Sequence, residues 1–191
     1  MKEQLVALVR DSKWFMQALH AVSDLRLESW CIGAGAVRNL VWDYLHAYKQ
    51  PSKLADVDVT YFDDRDISPI RDQYLQSILR SKCPEFPWEV TNQAAVHVWF
   101  EGHFGHPVEP LISLNDAVAS WPEFATCVGI FLNDRDVIQV IAPYGLEDLF
   151  ACRVRQNPKR VSSETYLQRV AEKRYVERWP NVTVYSQTPN H

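Results

Sequence analysis

The chain has 191 residues, of which 47% are hydrophobic and 23% are charged, and its formal net charge is −4. This composition can bury a large core, which excludes a disordered or fibrous protein. The mild acidity argues against non-specific coating of nucleic acid, which needs an excess of Lys and Arg. No apolar run approaches the roughly 18 residues that cross a membrane, and charges interrupt the N-terminus too often for a secretory signal. We therefore expect one globular domain over residues 1–191, in the cytoplasm, with its four cysteines reduced.

Helices and strands alternate in the first half of the chain. Apolar residues at helical spacing predict a helix over residues 3–22. A short apolar run over 29–32 ends at Gly33 and gives way to helical periodicity, which predicts a strand, a glycine turn and a helix. The β-branched and aromatic run 57–62 predicts a second strand, and Ser68-Pro69 is typical of a helix start. The helices that follow these two strands are predicted at 36–48 and 70–80.

Shorter elements are predicted in the second half. Residues 88–100, rich in Val, Thr and aromatic side chains, predict one or two strands. Apolar runs at 127–132 and 137–142 predict a hairpin, and Ser162 or Ser163 is expected to cap a charged helix that ends near Arg178. Short helices are predicted at 115–120 and 145–151, and the last ten residues are predicted to be a loose tail. Together these elements indicate an α+β fold.

The tetrapeptide Asp56-Val57-Asp58-Val59 is the clearest chemical signal. Because side chains alternate along a strand, Asp56 and Asp58 are expected on one face, about 6.5–7 Å apart along the backbone, with both valines packed inward. Two carboxylates on a rigid strand can converge on a divalent cation. The alternative is an ordinary solvated turn at the entrance of a strand.

Small residues, Gly33-Ala34-Gly35-Ala36, lie where a predicted strand turns into a helix. At such a turn backbone amides can approach a phosphate, and the helix N-terminus favours negative charge. The alternative is that the glycines only permit a tight turn and close packing. The spacing differs from the G-x-G-x-x-G of dinucleotide sites, because position 38 is Arg and no βαβ repeat follows. A phosphate cradle followed by an acidic strand is the more specific interpretation.

These motifs together resemble a known superfamily. Gly33-Ala34-Gly35-Ala36-Val37-Arg38-Asn39, a helix and then Asp56-x-Asp58 on a strand are similar to the DNA polymerase beta superfamily of nucleotidyltransferases, in particular to the Gly-Gly-x-Val-Arg-Asp and Asp-x-Asp signature of class II tRNA CCA-adding enzymes. Further residues resemble a compact bacterial nucleotidyltransferase-like family over nearly the whole chain, namely Asn92-Gln93-Ala94, His97, Trp99, Asp116, Trp121-Pro122-Glu123, Ala125-Thr126, Val128-Gly129, Ala142-Pro143, Gly145-Leu146 and Asp148-Leu149-Phe150.

The resemblance implies a fold, a reaction and a set of site residues. The fold is a mixed β-sheet flanked by helices, with a catalytic core over residues 30–100 and a C-terminal extension over 111–180 that adds a hairpin and a helix. The reaction moves a nucleoside monophosphate from a nucleoside triphosphate to an acceptor hydroxyl and releases pyrophosphate, with two Mg²⁺ or Mn²⁺ ions. The implied metal-binding and catalytic residues are Asp56, Asp58 and, on a neighbouring strand, Glu89; the implied nucleotide-binding residues are Gly33, Ala34, Gly35, Ala36 and Arg38.

Four further polar residues each have two interpretations. Arg38 is expected to reach a phosphate or pair with an Asp of the site, and the alternative is a surface salt bridge. Asn92 and Gln93, within an apolar run, are expected to mark a bulge or to hydrogen-bond a nucleotide or loop backbone. His97 would share the face of Glu89 on an unbroken strand, although a hydrogen-bonded core histidine is the more common case. Asn92, Gln93 and His97 are therefore candidate supporting residues of the site.

Departures from the family pattern leave a second hypothesis open. The serine common after the first glycine in these transferases is absent, and Asn39 stands where the CCA-adding motif has Asp. Under this second hypothesis, the fold serves as a catalytically inactive nucleotide-binding or protein-interaction module. The sequence does not identify an acceptor, but without a broad basic face a small molecule or a locally bound macromolecule is favoured over a long nucleic acid. No membrane partner is expected.

Overall fold

The fold, described for residues 1–186 by a computed structural model, combines a five-stranded sheet, a small two-stranded sheet and flanking helices. The helices are α1 (Lys2–Asp11), α2 (Lys13–Ser23), α3 (Ala34–Leu45), α4 (Pro69–Lys82), α5 (Val96–Phe104), α6 (Leu114–Val118), α7 (Glu147–Phe150), α8 (Ser163–Lys173) and α9 (Tyr175–Arg178). The strands are β1 (Trp30–Gly33), β2 (Val57–Tyr61), β3 (Trp88–Asn92), β4 (Gly129–Leu132), β5 (Ile138–Ile141), β6 (Arg153–Val154) and β7 (Thr183–Val184). Two 3₁₀ turns cover Gln93–Ala95 and Phe124–Thr126.

The central sheet has the strand order β3-β2-β1-β4-β5. β1 lies antiparallel to both β2 and β4, whereas β2 and β3 are parallel and are joined by a crossover through α4. β4 and β5 pair antiparallel, which confirms the predicted hairpin, and this hairpin extends the sheet beside β1. The α+β fold with a mixed sheet flanked by helices is therefore confirmed.

Val57 and Val59 of β2 are buried, as the alternation of the strand predicts.

Aromatic packing ties the C-terminal helices to α3. Trp42 of α3 lies edge-on to Tyr175 and Trp179, with ring centroids 5.8 and 5.3 Å away. Its indole N–H donates to the carbonyl of Leu149 at 2.8 Å. Because these large rings are fully buried, the region around α9 is fixed against the helix that follows β1.

Two predicted helix boundaries in the first half are wrong. The helix predicted over residues 3–22 is two helices, since Ser12 ends α1 and its hydroxyl accepts from the amide of Phe15 at 3.4 Å to begin α2. The helix predicted at 36–48 covers Ala34–Leu45, so it begins directly after Gly33. The Ser68 cap and the helix that follows it are confirmed, with Ser68 Oγ accepting from the amide of Ile70 at 3.3 Å.

The strand prediction over residues 88–100 is correct only as far as Asn92. The side chain of Asn92 accepts from the amide of Ala94 at 3.1 Å, and the chain turns through the 3₁₀ turn into α5. Val96 and Phe100 are buried on one face of that helix, while Val98 is 65% exposed. A strand would have buried these three side chains on the same face. The shared strand face proposed for Glu89 and His97 is therefore absent.

The C-terminal predictions are corrected in two places. The charged helix is capped by Ser162 but breaks at Arg174, which has a left-handed φ of 50° and separates α8 from α9. The predicted loose tail contains β7, which pairs parallel with β6, and residues 187–191 lie outside the described range. All four cysteines are free and buried. Within residues 1–186, no helix has both the length and the apolar character that a membrane span needs.

Candidate active site

The structure brings Asp56, Asp58 and Glu89 together at one edge of the central sheet. Asp58 of β2 stands in register with Glu89 of β3, and Asp56 immediately precedes β2. One carboxylate oxygen from each side chain lies within 4.8 Å of the other two. Asp58 lies beside Glu89 because paired strands are about 4.8 Å apart. Three convergent carboxylate oxygens are the ligands that Mg²⁺ and Mn²⁺ prefer, so the side chains fit a divalent metal site.

Asp58 is the carboxyl group most affected by its two acidic neighbours. Burial, and after it the charges of Asp56 and Glu89, raise the pKa of its carboxyl to about 7, with Arg169 and Lys173 acting in the opposite direction. Like charges this close repel one another in the absence of a cation. The arrangement therefore gains stability from any positive charge that enters it.

The N-terminus of α3 faces these carboxylates. Gly33 is its N-cap and offers no side chain to the free backbone amides of the first turn, and the amide of Ala34 donates to the carbonyl of Val128 at 3.3 Å. A side chain added at Gly35 would have its first carbon 3.6 Å from Asp56 Oδ1 and 3.6 Å from Arg38 Nη2. The open space at Gly35 thus borders both an acidic and a basic group of the site.

The four small residues of the turn differ in their surroundings. Gly33 and Ala36 are buried, and a carbon added at Gly33 would lie 2.3 Å from the ring of Trp121. Gly33 therefore allows close packing, which is the alternative left open by the sequence. Ala34 and Gly35 are half-buried and each lines a cavity that contains carboxylates of the site. Ala34 also has a left-handed φ of 50°, a conformation that costs free energy for a residue with a side chain.

Arg38 is buried rather than paired at the surface. It is 3% exposed, and its guanidinium lies 5.6, 5.1 and 5.4 Å from the ring centroids of Trp42, Tyr175 and Trp179. Asn39 accepts from Arg38 Nε at 3.2 Å and from Nη2 at 2.9 Å. Arg38 Nη1 is buried and has no hydrogen-bond partner among residues 1–186. The surface salt bridge considered for Arg38 is thus wrong, and one of its nitrogens is available to a ligand.

The three candidate supporting residues have different positions. Gln93 lines the same cavity as Asp58 and Glu89. Asn92 holds a loop instead, because its amide donates to the carbonyls of Asp63 and Asp66 at 2.7 and 2.9 Å. His97 lies on α5, and its buried Nδ1 has no partner in the described part of the chain. Of the three, only Gln93 borders the carboxylates.

The cavities beside the carboxylates include residues that sequence reasoning missed. A cavity of about 190 Å³ is lined by Asp58 and Glu89, with Trp121 and Arg169 among the other walls. A second cavity, of about 500 Å³, lies beside Asp56 and the first turn of α3; its basic side chains are Arg38, Lys173, Arg174 and Arg178. The available signal was the spacing of Arg169 and Lys173 by one helical turn, but nothing local indicated which face of α8 meets the site.

The comparison with known protein families agrees with this geometry. A family model described as Nucleotidyltransferase matches residues 20–184. The chain belongs to this nucleotidyltransferase family. A solved structure described as a CCA-adding enzyme head domain, determined by NMR, is 31% identical to this nucleotidyltransferase and has a TM-score of 0.83; the match covers 98% of this chain and 97% of that chain. Curated protein sequences provide no match.

Two longer enzymes share the fold. A CCA-adding enzyme in complex with CTP is 11% identical, with a TM-score of 0.57, and the match covers 96% of this chain and 43% of that chain. A tRNA-processing enzyme without ligand is 16% identical, with a TM-score of 0.51 and coverages of 89% and 42%. This nucleotidyltransferase therefore spans less than half the length of each of these two enzymes.

Proposed function

We propose that this protein is a metal-dependent nucleotidyltransferase that moves a nucleoside monophosphate from a nucleoside triphosphate to an acceptor hydroxyl and releases pyrophosphate. The observation that carries the proposal is the convergence of Asp56, Asp58 and Glu89 within 4.8 Å beside the N-terminus of α3. Asp56, Asp58 and Glu89 would hold two Mg²⁺ or Mn²⁺ ions, whose charge would stabilise the negative charge on the transferred phosphate.

The cavity beside Asp56 suits the donor phosphates. The first-turn amides of α3 favour an anion, and Arg38 offers a buried nitrogen without a partner among residues 1–186. Lys173 and Arg178 add positive charge to the same cavity, whereas Arg174, also in its wall, is paired with Glu177. Gly35 leaves space between Arg38 and Asp56. We assign the β- and γ-phosphates of the triphosphate to this cavity.

Glu89 suits the acceptor side of the reaction. It is the exposed member of the carboxylate cluster, so a hydroxyl group can approach it from solvent. In the proposed step Glu89 accepts the proton of that hydroxyl. The oxygen of the acceptor hydroxyl then forms a bond to the α-phosphorus. The bond from this phosphorus to the bridging oxygen of the β-phosphate breaks, and pyrophosphate carries away the electron pair.

The acceptor is proposed to be a small molecule or a macromolecule that is bound locally. The net charge is −4, and the basic side chains named above line one cavity of about 500 Å³. The relatives described as a CCA-adding enzyme head domain and a tRNA-processing enzyme make RNA the first acceptor to test. We further propose that residues 1–191 form a single domain in the cytoplasm, which suits a triphosphate substrate and free cysteines.

Transfer of a labelled phosphate tests this proposal. Each of the four nucleoside triphosphates, labelled at the α-phosphate, is incubated with the protein, Mg²⁺ or Mn²⁺, and either total RNA or small metabolites from a cell extract. We expect label in a product in a reaction that EDTA stops and Asp58→Asn abolishes. Asp64→Asn, which removes an exposed carboxylate outside the cluster, should leave the rate unchanged. Triphosphate binding without pyrophosphate release, across all acceptors, would instead support the inactive nucleotide-binding module.

A further inference from the structure

Arg169 extends from α8 into the cavity beside the carboxylates, although α8 is far in sequence from the motifs that define the site. It lines the cavity of about 190 Å³ that also contains Asp58 and Glu89. Arg169 therefore presents a positive charge to a cavity that also holds two carboxylates of the cluster.

A buried carboxylate fixes the orientation of Arg169. Glu123 is 1% exposed, and its Oε1 accepts from Arg169 Nε at 2.6 Å and from the hydroxyl of Tyr175 at 3.0 Å. Its Oε2 accepts from the hydroxyl of Thr126 at 2.9 Å. Three donors on different elements therefore hold one carboxylate, and that carboxylate holds the arginine.

The outer nitrogens of Arg169 form no hydrogen bond with the described part of the chain. Within residues 1–186, the described hydrogen bonds of Arg169 use Nε alone, and its side chain is 28% exposed. Nη1 and Nη2 are thus available to a ligand in the cavity. A guanidinium with a fixed stem and two free nitrogens suits the non-bridging oxygens of a phosphate.

From these contacts we infer that Arg169 binds the α-phosphate of the donor nucleotide and that Glu123 is its positioning residue. This inference rests on the proposed function. The α-phosphate must lie between Asp58 and Glu89, and Arg169 shares the cavity with both. The β- and γ-phosphates lie toward Arg38 and Lys173, in the other cavity. Arg169 therefore stabilises the charge that develops on the transferred group.

The test compares two probes by isothermal titration calorimetry in the presence of Mg²⁺. The α,β-methylene triphosphates of the four nucleosides carry an α-phosphate but cannot release pyrophosphate, whereas inorganic pyrophosphate has no α-phosphate. We expect Arg169→Gln to weaken the affinity for the best-bound analogue about tenfold and to leave the affinity for pyrophosphate within twofold. Arg153→Gln, the same change on the exposed side of β6, should alter neither affinity.

Variants of Glu123 separate positioning from folding. Glu123→Gln should weaken the affinity for the analogue several-fold without changing the affinity for pyrophosphate. General destabilisation does not produce this selectivity. The double variant Glu123→Gln, Arg169→Gln avoids an unpaired buried carboxylate and should show the tenfold loss of the single Arg169→Gln variant.

Three results would contradict the account in distinguishable ways. Unchanged analogue affinity in both Arg169→Gln and the double variant would overturn the assignment of Arg169 to the α-phosphate. This is also the result expected if Arg169 binds an anionic acceptor instead. An equal loss of pyrophosphate affinity would also overturn this assignment, since Arg169 would then contact the leaving group. If the wild-type protein bound no analogue with Mg²⁺ present, the proposed function itself would fall.

Discussion

Asp58 and Glu89 are register partners on the parallel strands β2 and β3, and their carboxylate oxygens lie within 4.8 Å of each other and of Asp56. Such a pair costs free energy unless positive charge compensates it. The site thus gives up stability in the metal-free protein in return for an arrangement that can bind metal ions and a phosphate.

Replacing Asp58 should make the metal-free protein more stable. Asp58→Asn removes one of three repelling charges, so we expect a higher melting temperature in EDTA than for the wild type. The same variant should lose the rise in melting temperature that Mg²⁺ or Mn²⁺ gives the wild type. Differential scanning calorimetry measures both effects. Asp64→Asn is the control and should respond to metal like the wild type; an equal metal response in Asp58→Asn would contradict the metal site.

The two glycines of the turn should respond differently to alanine. Gly33→Ala places a carbon 2.3 Å from the Trp121 ring and should lower the free energy of unfolding by about 1–3 kcal/mol. Gly35→Ala meets its nearest atoms at 3.6 Å and should remain within about 1 kcal/mol of the wild type. Its added methyl group narrows the space between Asp56 and Arg38, so triphosphate binding should weaken. Urea unfolding and calorimetry measure the two properties, and equal unfolding energies for both variants would contradict this packing.

Arg38 combines packing with ligand binding, and two substitutions separate these roles. Arg38→Met keeps an apolar side chain among Trp42, Tyr175 and Trp179, so most of the stability should remain while pyrophosphate affinity falls. Arg38→Ala leaves a void among these rings and should cost about 2–5 kcal/mol. Chemical unfolding and calorimetry with pyrophosphate test the pair. Pyrophosphate affinity unchanged in Arg38→Met would remove Arg38 from the phosphate site.

Acid should lower the free energy of unfolding through Asp63, which lies outside the carboxylate cluster. Side-chain bonds from Arg65, at 2.9 and 3.1 Å, and from Arg71, at 2.7 Å, hold the pKa of Asp63 well below its usual range. The stability from this group is complete above the ordinary carboxyl pKa of about 3.9 and is lost as the pH falls below it. Asp63→Asn should therefore be less stable than the wild type at pH 7, with a smaller difference at pH 3. Urea unfolding at both values checks this, and a difference that grows toward pH 3 would contradict it.

The sequence predicted the sheet that carries the cluster better than the helices around it. Alternation placed Val57 and Val59 inward, and the short strands with turn residues between them gave the hairpin of β4 and β5. The helix α5 was missed because Val98 and Trp99 are apolar yet exposed, which hides the helical pair Val96 and Phe100.

The candidate site was predictable where its residues are close in sequence. The turn at Gly33 and the pair Asp56 and Asp58 form local motifs, and the family resemblance added Glu89. Arg169 was not predictable, because its orientation depends on Glu123, which is 46 positions earlier in the chain. A contact of this kind follows from tertiary packing and leaves no periodic signal.

The most direct test of the metal-centred site is a crystal structure with Mn²⁺ and the best-bound α,β-methylene triphosphate. Anomalous scattering locates manganese without reference to the protein density. We predict two manganese peaks about 3.5–4 Å apart, ligated by Asp56, Asp58 and Glu89, with the triphosphate at the N-terminus of α3. A triphosphate bound elsewhere, or a carboxylate cluster without manganese at saturating concentration, would contradict the account.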